Sequence, residues 1–357
     1  PLGIVFFIIK VTLIKGGLKM GQQSLVVDDY GMFVGKKSER VVVKKDKEVV
    51  KEVPFFRLKE IMISGSGVSF SSDLIQECAK AGIQIDFVDY RGQHLAKLSS
   101  AAMTGTIKTR RQQLTAYQDK RGLELASTFA QGKIDNQIVL LKYLAKYRKQ
   151  KNKELYDWIY NQIAEIEEIK KEFEDITGDD IEECRSLILS SEGRAAQKYW
   201  QVIEGVLPDE LEFPGRKTQG AQDLVNSLLN YGYGILYSRV SSAILRAGLD
   251  LYAGFLHADR PGKPSLTLDL IEEFRQTIVD KTIIGLLNQN VKFEVEDGRI
   301  SEDDRKKLAN KILDRLKSKE RYEGKKYRLE VIIQKQARKL ASYLKGNRDY
   351  DSFVSGW

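Results

Sequence analysis

The chain has 357 residues, enough for two domains with separate cores, and a formal charge of +8 at pH 7, which makes a polyanionic partner plausible. Its two cysteines, Cys78 and Cys184, lie far apart and outside any CxxC, which argues against a disulfide framework or a zinc site and for a cytoplasmic compartment. The apolar N-terminal run "GIVFFIIKVTLI" is interrupted by Lys10, is too short to span a bilayer and lacks the small-residue cleavage site of a signal peptide, so no membrane role is expected.

Residues 1–19 open with "PLG", which looks like a tag remnant, and read as an extension outside the core fold. From 20 to 103 the pattern has period two ("SLVVDD", "GMFVGKK", "RVVVKK", "EVVKEV", "LKEIMIS"), with Asp, Gly and Lys turns, and reads as antiparallel hairpins. One helix interrupts them: "SSDLIQECAKAG", with Ser72 as N-cap and Gly82 as stop. His94 follows a strand and a turn with no acid cluster nearby, and reads as structural.

Beyond about Met103 the period becomes 3.6 and stays there to the end, which predicts an all-helical domain over 104–357. The fold class is therefore α+β: a small β-rich N-terminal domain followed by a larger all-α one. In "SSEGRAAQKYWQVI" a helical wheel puts Glu192 on a face with Ala196, Tyr199 and Ile203, pointing a carboxylate at packed neighbours; a first-turn acid behind a Ser190 or Ser191 cap explains it equally well. "NSLLNYGYGILYSRVSSAILRAGLD" interleaves tyrosines with arginines, with Tyr231 and Arg246 as candidate nucleic-acid contacts, although a buried aromatic seam accounts for most of the pattern.

In "GFLHADRPGKPSLTLDLIEEFR" the acids Asp269, Glu272 and Glu273 lie within one helical turn of each other. An exposed first turn is the simplest home for such acids. His257 ahead of the loop shifts that balance, because an imidazole folding back onto carboxylates makes a mixed oxygen and nitrogen site suited to Mg²⁺ or Mn²⁺. The segment from Arg305 to Arg348 then carries sixteen Lys/Arg against four Asp/Glu. Lys325, Lys326 and Arg328 within it are candidates for sequence-independent phosphate contact, against the alternative of a solvated charged face.

Taken together, "SEGRAAQKYW", "LLNYGYGILYSRVSSAILRAGLD", "GFLHADRPGKPSLTLDLIEEFR" and "VVDDYGMFVGKK" resemble the CRISPR-associated endonuclease and integrase of spacer acquisition, Cas protein one, from about Met20 to the C-terminus. The resemblance implies a β-sandwich-like N-terminal domain that pairs a homodimer, a helical catalytic and DNA-binding domain, and Cas protein two as a partner. It also implies a divalent-metal site at which Glu192, His257 and Asp269 are catalytic and metal-binding. Glu272 takes the next acidic position, where some members have Asp, and Glu273 falls where many carry Pro and is left out.

The implied activity is insertion of prespacer DNA into a repeat array through attack of a 3′-hydroxyl on a phosphodiester, with hydrolytic cutting by water at the same site. Arg260, Lys263 and Arg275 are then candidate phosphate clamps around a Mg²⁺ or Mn²⁺ ion. Removing one acid is expected to relieve like-charge repulsion. The alternatives are a metal-dependent nuclease acting on branched DNA in repair, and a non-catalytic DNA-binding scaffold.

Overall fold

A computed structural model describes residues 11–15, 23–88, 94–98, 106–218, 220–296 and 298–356. The chain divides into two compact units at Thr104/Gly105.

The first unit holds strands β1 (Val11–Lys15), β2 (Gln23–Val27), β3 (Phe33–Lys37), β4 (Arg40–Lys45), β5 (Glu48–Pro54), β6 (Leu58–Ile63) and β7 (Ser69–Phe70). Helix α1 (Ser72–Ala81) follows, then β8 (Gln84–Val88) and β9 (His94–Leu98). They form a five-stranded sheet, β1-β2-β6-β8-β9, and a four-stranded sheet, β5-β4-β3-β7. Both sheets and α1 feed one core, in which Leu25, Val34, Val41, Val43, Ile61, Leu74 and Ile85 are essentially without solvent contact. Each such side chain contributes about 1.5–3 kcal/mol by leaving water.

Three expectations change here. The sheets are mixed, since β2 pairs β6, β6 pairs β8 and β3 pairs β7 in parallel. Parallel neighbours require crossovers, and α1 supplies the one between β6 and β8. Within the stretch read as lying outside the core, Val11–Lys15 pairs antiparallel with β2 as an edge strand, because its β-branched run offers a free ladder to that edge. The helix cap is Ser71 rather than Ser72: the Ser71 hydroxyl accepts from the Leu74 amide, while Gly82 ends the helix in the left-handed region as expected. The side chain of His94 lies outside the described residues.

The second unit begins with α2 (Thr106–Ala116), α3 (Lys120–Lys146), α4 (Lys153–Lys171), α5 (Ile181–Val206), α6 (Leu224–Arg246) and α7 (Ser265–Ile271). A π-helical stretch, Arg275–Asp280, leads into α8 (Lys281–Asn288). Strands β10 (Val295–Glu296) and β11 (Arg299–Ile300), helix α9 (Glu302–Lys317), strands β12 (Lys319–Tyr322) and β13 (Lys325–Arg328) and helix α10 (Leu329–Leu344) complete it. The expected all-α domain thus carries two small antiparallel hairpins. Strands of two residues (β10, β11) and four residues (β12, β13) are too short for period-two alternation to stand out from charged loop sequence.

Helices α3, α4 and α5 pack mutually, and α6 is buried on most of its surface against α7, α9, α10 and the π stretch. Phe129, Tyr199, Leu228, Phe255 and Phe274 are wholly enclosed in this core. Both thiols are buried, and burial pushes the Cys78 thiol up to about 12.

Candidate functional site

Glu192 lies in the middle of α5, whose N-cap is Asp180, so it is not a first-turn acid behind a serine cap. Ser191 instead donates its hydroxyl to Glu172 at 2.7 Å. Seven residues earlier on the same face of α5, Arg185 donates to the carbonyls of Phe255 and Leu256, both at 3.2 Å. One helix therefore carries a buried carboxylate and an anchor for the histidine-bearing loop.

That loop is tied down from several sides. Gln113 of α2 donates to the carbonyls of Asp250 and Ala253 and accepts from the Asp250 amide. Gly254 lets the loop lie flat on the start of α7: a Cβ there would stand 2.6 Å from the Ser265 carbonyl carbon and 2.8 Å from Asp269 Oδ2. The amides of Phe255 and Leu256 then donate to Asp269 Oδ2 at 2.6 and 3.1 Å, and the His257 amide donates to Oδ1 at 3.0 Å.

His257 Nδ1 also meets Asp269 Oδ1, at 2.8 Å. Facing an oxygen that already accepts the backbone amide, Nδ1 is the nitrogen that carries hydrogen, which leaves the Nε2 lone pair free. All four acceptor positions of Asp269 are occupied, so its geometry is that of a residue orienting His257. Asp269 is 0% exposed, the opposite of the exposed first-turn acid that local sequence favoured.

Glu272 follows directly after α7, before the π stretch, a type of irregularity that often marks functional sites. It too is buried, and it meets Glu192 across a residue that sequence reasoning passed over. Lys133 of α3 forms ion pairs with Glu192 Oε1 and, at 3.0 Å, with Glu272 Oε2. Arg275 approaches Glu272 Oε1 from the other side at 3.2 Å.

Burial pushes the Glu272 carboxyl up, but the neighbouring positive charges, Arg275 first and then Lys133, outweigh it and bring it down to about 2. Burial likewise works against the Lys133 ammonium, and Glu272 and Glu192 more than compensate, raising it above the ordinary lysine value. Glu272 Oε2 makes no geometrically sound hydrogen bond despite the nearby ammonium.

This donor set fits a hard divalent cation chemically: two carboxylates from separate elements that share one ammonium, and an imidazole held through Nδ1 with Nε2 as its remaining nitrogen. Among the described residues, no three His, Cys, Asp or Glu side chains already surround one point as a metal cluster; the Lys133 ammonium stands between the acids.

Arg275, a candidate phosphate clamp on sequence grounds, is committed instead to Glu272 and to the face of the Tyr233 ring, 4.8 Å from its centroid. Tyr233 in turn donates to the buried Asp280, as does Tyr199 at 2.7 Å, and Arg216 covers the Tyr233 ring at 5.2 Å. Asn226 and Asn230 hold that arginine's loop through contacts to Arg216, Lys217 and Gly215. Tyr231 packs partly buried against the core, which leaves it poorly disposed as a stacking platform, and Arg246 lies partly buried at the end of α6. Arg260 is exposed and Lys263 half-buried in one tight turn beyond His257. Glu273 is enclosed and faces the C-terminal residues rather than Glu272's partners.

A basic surface is formed by the β12–β13 hairpin, turned by Glu323 and Gly324, both with positive φ. Register puts Arg321 opposite Lys326 and Lys319 opposite Arg328, so four cations share one face. Lys325 is exposed but belongs to the other face, opposite Tyr322. Like charges placed directly opposite are destabilising unless an anion covers them.

The model of the family "CRISPR associated protein Cas1" matches residues 25–313. The CRISPR-associated endonuclease Cas1 1 of Archaeoglobus fulgidus is 37% identical over 345 residues, covering 93% of this chain and 99% of that protein. Among solved structures, a casposase bound to its integration product aligns with TM-score 0.72 and 26% identity over 92% of each chain. A Cas6-RT-Cas1–Cas2 complex aligns with TM-score 0.74 and 19% identity over 95% of this chain and 37% of that one, which is a likeness of fold.

Proposed function

The chain belongs to the Cas1 family, and from that premise we propose that it is a divalent-metal-dependent DNA endonuclease and integrase that inserts prespacer DNA into a CRISPR array in the cytoplasm. The observation that carries this reading is that Glu192 and Glu272, from separate segments, meet on one ammonium, while His257, on the loop held against the same helix start, has its ring fixed through Nδ1 by Asp269. The likeness to a casposase held on an integration product supports DNA joining as well as cutting, and the likeness to a Cas1–Cas2 assembly supports Cas2 as a partner.

In this mechanism Glu192, Glu272 and His257 Nε2 would hold Mg²⁺ or Mn²⁺, which would supply positive charge for the phosphodiester and for the attacking oxygen. Asp269 fixes the imidazole through Nδ1, which leaves Nε2 as the nitrogen that an ion could use. Arg275 keeps Glu272 ionised, and Arg260 and Lys263 bind the phosphate that arrives beyond His257. The oxygen of a prespacer 3′-hydroxyl, or of water, forms the new P–O bond as the bond to the leaving oxygen breaks; the attacking group gives its proton to solvent and the leaving oxygen takes one from solvent. The test is an assay with Mn²⁺ that offers a free 3′-hydroxyl donor and a supercoiled target: joined product supports the integrase, whereas cutting of branched DNA without joining would favour a repair nuclease.

The hairpin face provides the sequence-independent part of DNA affinity in this reading. Reversing Arg321 and Lys326 to Glu is expected to weaken duplex binding and to reduce the log–log salt slope by about 0.9 for each phosphate left unneutralised. Lys325→Glu, on the other face, is expected to change the slope less. An unchanged slope in the double variant would put the binding face elsewhere.

The first unit pairs the homodimer. Full-length protein is expected to sediment as a dimer, and the chain lacking residues 1–104 as a monomer with its own helical core. A dimer of the shortened chain would move the interface into the second unit.

A further inference from the structure

We infer that Lys133 is the site's built-in counter-cation: its ammonium holds the Glu192 and Glu272 carboxylates together while no divalent ion is bound, and it competes with that ion for them. The inference rests on the divalent-cation reading of this site and concerns a residue which that reading does not use.

Lys133 projects from the core-facing side of α3, among Phe129, Ala130, Asn136 and Gln137, with 15% of its side chain exposed. A cation in that setting is costly unless paired, and it is paired twice, by Glu192 and by Glu272. The local sum is neutral, because Lys133 and Arg275 balance Glu192 and Glu272. The two acids come from elements far apart in sequence, and without a cation between them they would repel at close range.

The ammonium does not satisfy both acids equally. It engages Glu192 Oε1 as a hydrogen bond, whereas Glu272 Oε2 receives charge without hydrogen-bond geometry. That oxygen is the one an incoming cation would take first. A divalent ion would add two positive charges to a cluster already balanced, so the ammonium must give up part of its hold as the ion enters. Lys133 therefore keeps the acids assembled at the cost of weakening their affinity for metal.

Calorimetric titration of the full-length protein with Mn²⁺, without DNA, tests this, alongside melting curves with and without the ion. Lys133→Met is expected to melt lower than wild type without metal and yet to bind Mn²⁺ about tenfold more tightly, with a larger metal-induced rise in melting temperature. Lys133→Arg, which keeps the charge, is expected to retain the wild-type affinity. If Lys133→Met fails to fold, Lys133→Gln removes the charge while keeping a donor and carries the same expectation.

Equal or weaker Mn²⁺ binding by a folded charge-free variant would overturn the inference. An equal fall in melting temperature with and without Mn²⁺ would also overturn it, since that is all a purely structural lysine predicts. Mn²⁺ binding by wild type with no gain in the variant removes only the role of Lys133. No binding by wild type removes the cation reading and this inference together.

Discussion

Glu272→Ala, Glu192→Ala and His257→Ala are each expected to lower Mn²⁺-dependent cutting and joining of DNA by about three orders of magnitude or more, because each removes a group that would hold the charge needed in the transition state. Asp269→Asn is expected to lose only about 10–100-fold, the usual effect of a residue that orients a ligand from behind. The difference follows from geometry: the acceptor positions of Asp269 are filled by three backbone amides and the His257 ring, whereas Glu272 is held, among the described residues, only by the ion pairs to Lys133 and Arg275. Duplex affinity should survive in all four variants, since the hairpin cations are untouched. Parallel rate measurements decide the matter: a loss for Asp269→Asn as deep as that for Glu272→Ala would restore Asp269 as a direct ligand.

The same geometry reverses an expectation about stability. Three neighbouring acids suggest repulsion that a deletion would relieve, but Glu192 and Glu272 share Lys133, so deleting either leaves a largely buried ammonium short of a partner. Metal-free Glu192→Ala and Glu272→Ala should therefore melt below wild type.

The switch from period two to period 3.6 near Met103 made the α+β class legible, because amphipathic periodicity is a local property of the chain. Strand direction and the pairing of β1 were not legible, because they depend on which edges remain free after the chain has crossed over. For the candidate site, sequence motifs named Glu192, His257, Asp269 and Glu272, but the different surroundings of Asp269 and Glu272 depend on loop amides that no side-chain pattern encodes. Lys133 did leave a signal. It is a lone cation among Phe129, Ala130, Asn136 and Gln137 on the core-facing side of a helix, and such a residue requires an anion to meet it. Finding that anion required the tertiary structure.

Glu273 shows how far a residue next to the site can differ from its neighbour in role. Its carboxylate accepts from Gln336 Nε2 at 2.7 Å, from the Phe353 amide at 2.9 Å and from the Tyr350 hydroxyl, and burial pushes its carboxyl up to about 7. Phe353 stacks on Phe274 with ring centroids 5.3 Å apart, and Asn136 donates to the carbonyls of Glu273 and Phe353 and accepts from the Ser355 amide. Residues 350–355 are thus pinned to α3 and to the segment that carries Glu272. Glu273→Ala strands three buried donors and opens a void, so it is expected to cost about 3–5 kcal/mol and, in a unit of this size, to lower the melting temperature by roughly 10 °C. Glu273→Gln should cost about 1 kcal/mol or less, because its carbonyl can serve the Gln336 and Phe353 donors while its amide donates to the Tyr350 oxygen. Urea unfolding of metal-free protein distinguishes the two, and an Ala variant within about 1 kcal/mol of wild type would show that the C-terminal residues are held by other means. Because Asn136 and Glu273 adjoin the helix face of Lys133 and the backbone of Glu272, loss of this anchor should also loosen the two charges it flanks, and Glu273→Ala should bind Mn²⁺ less tightly than Glu273→Gln at temperatures where both remain folded.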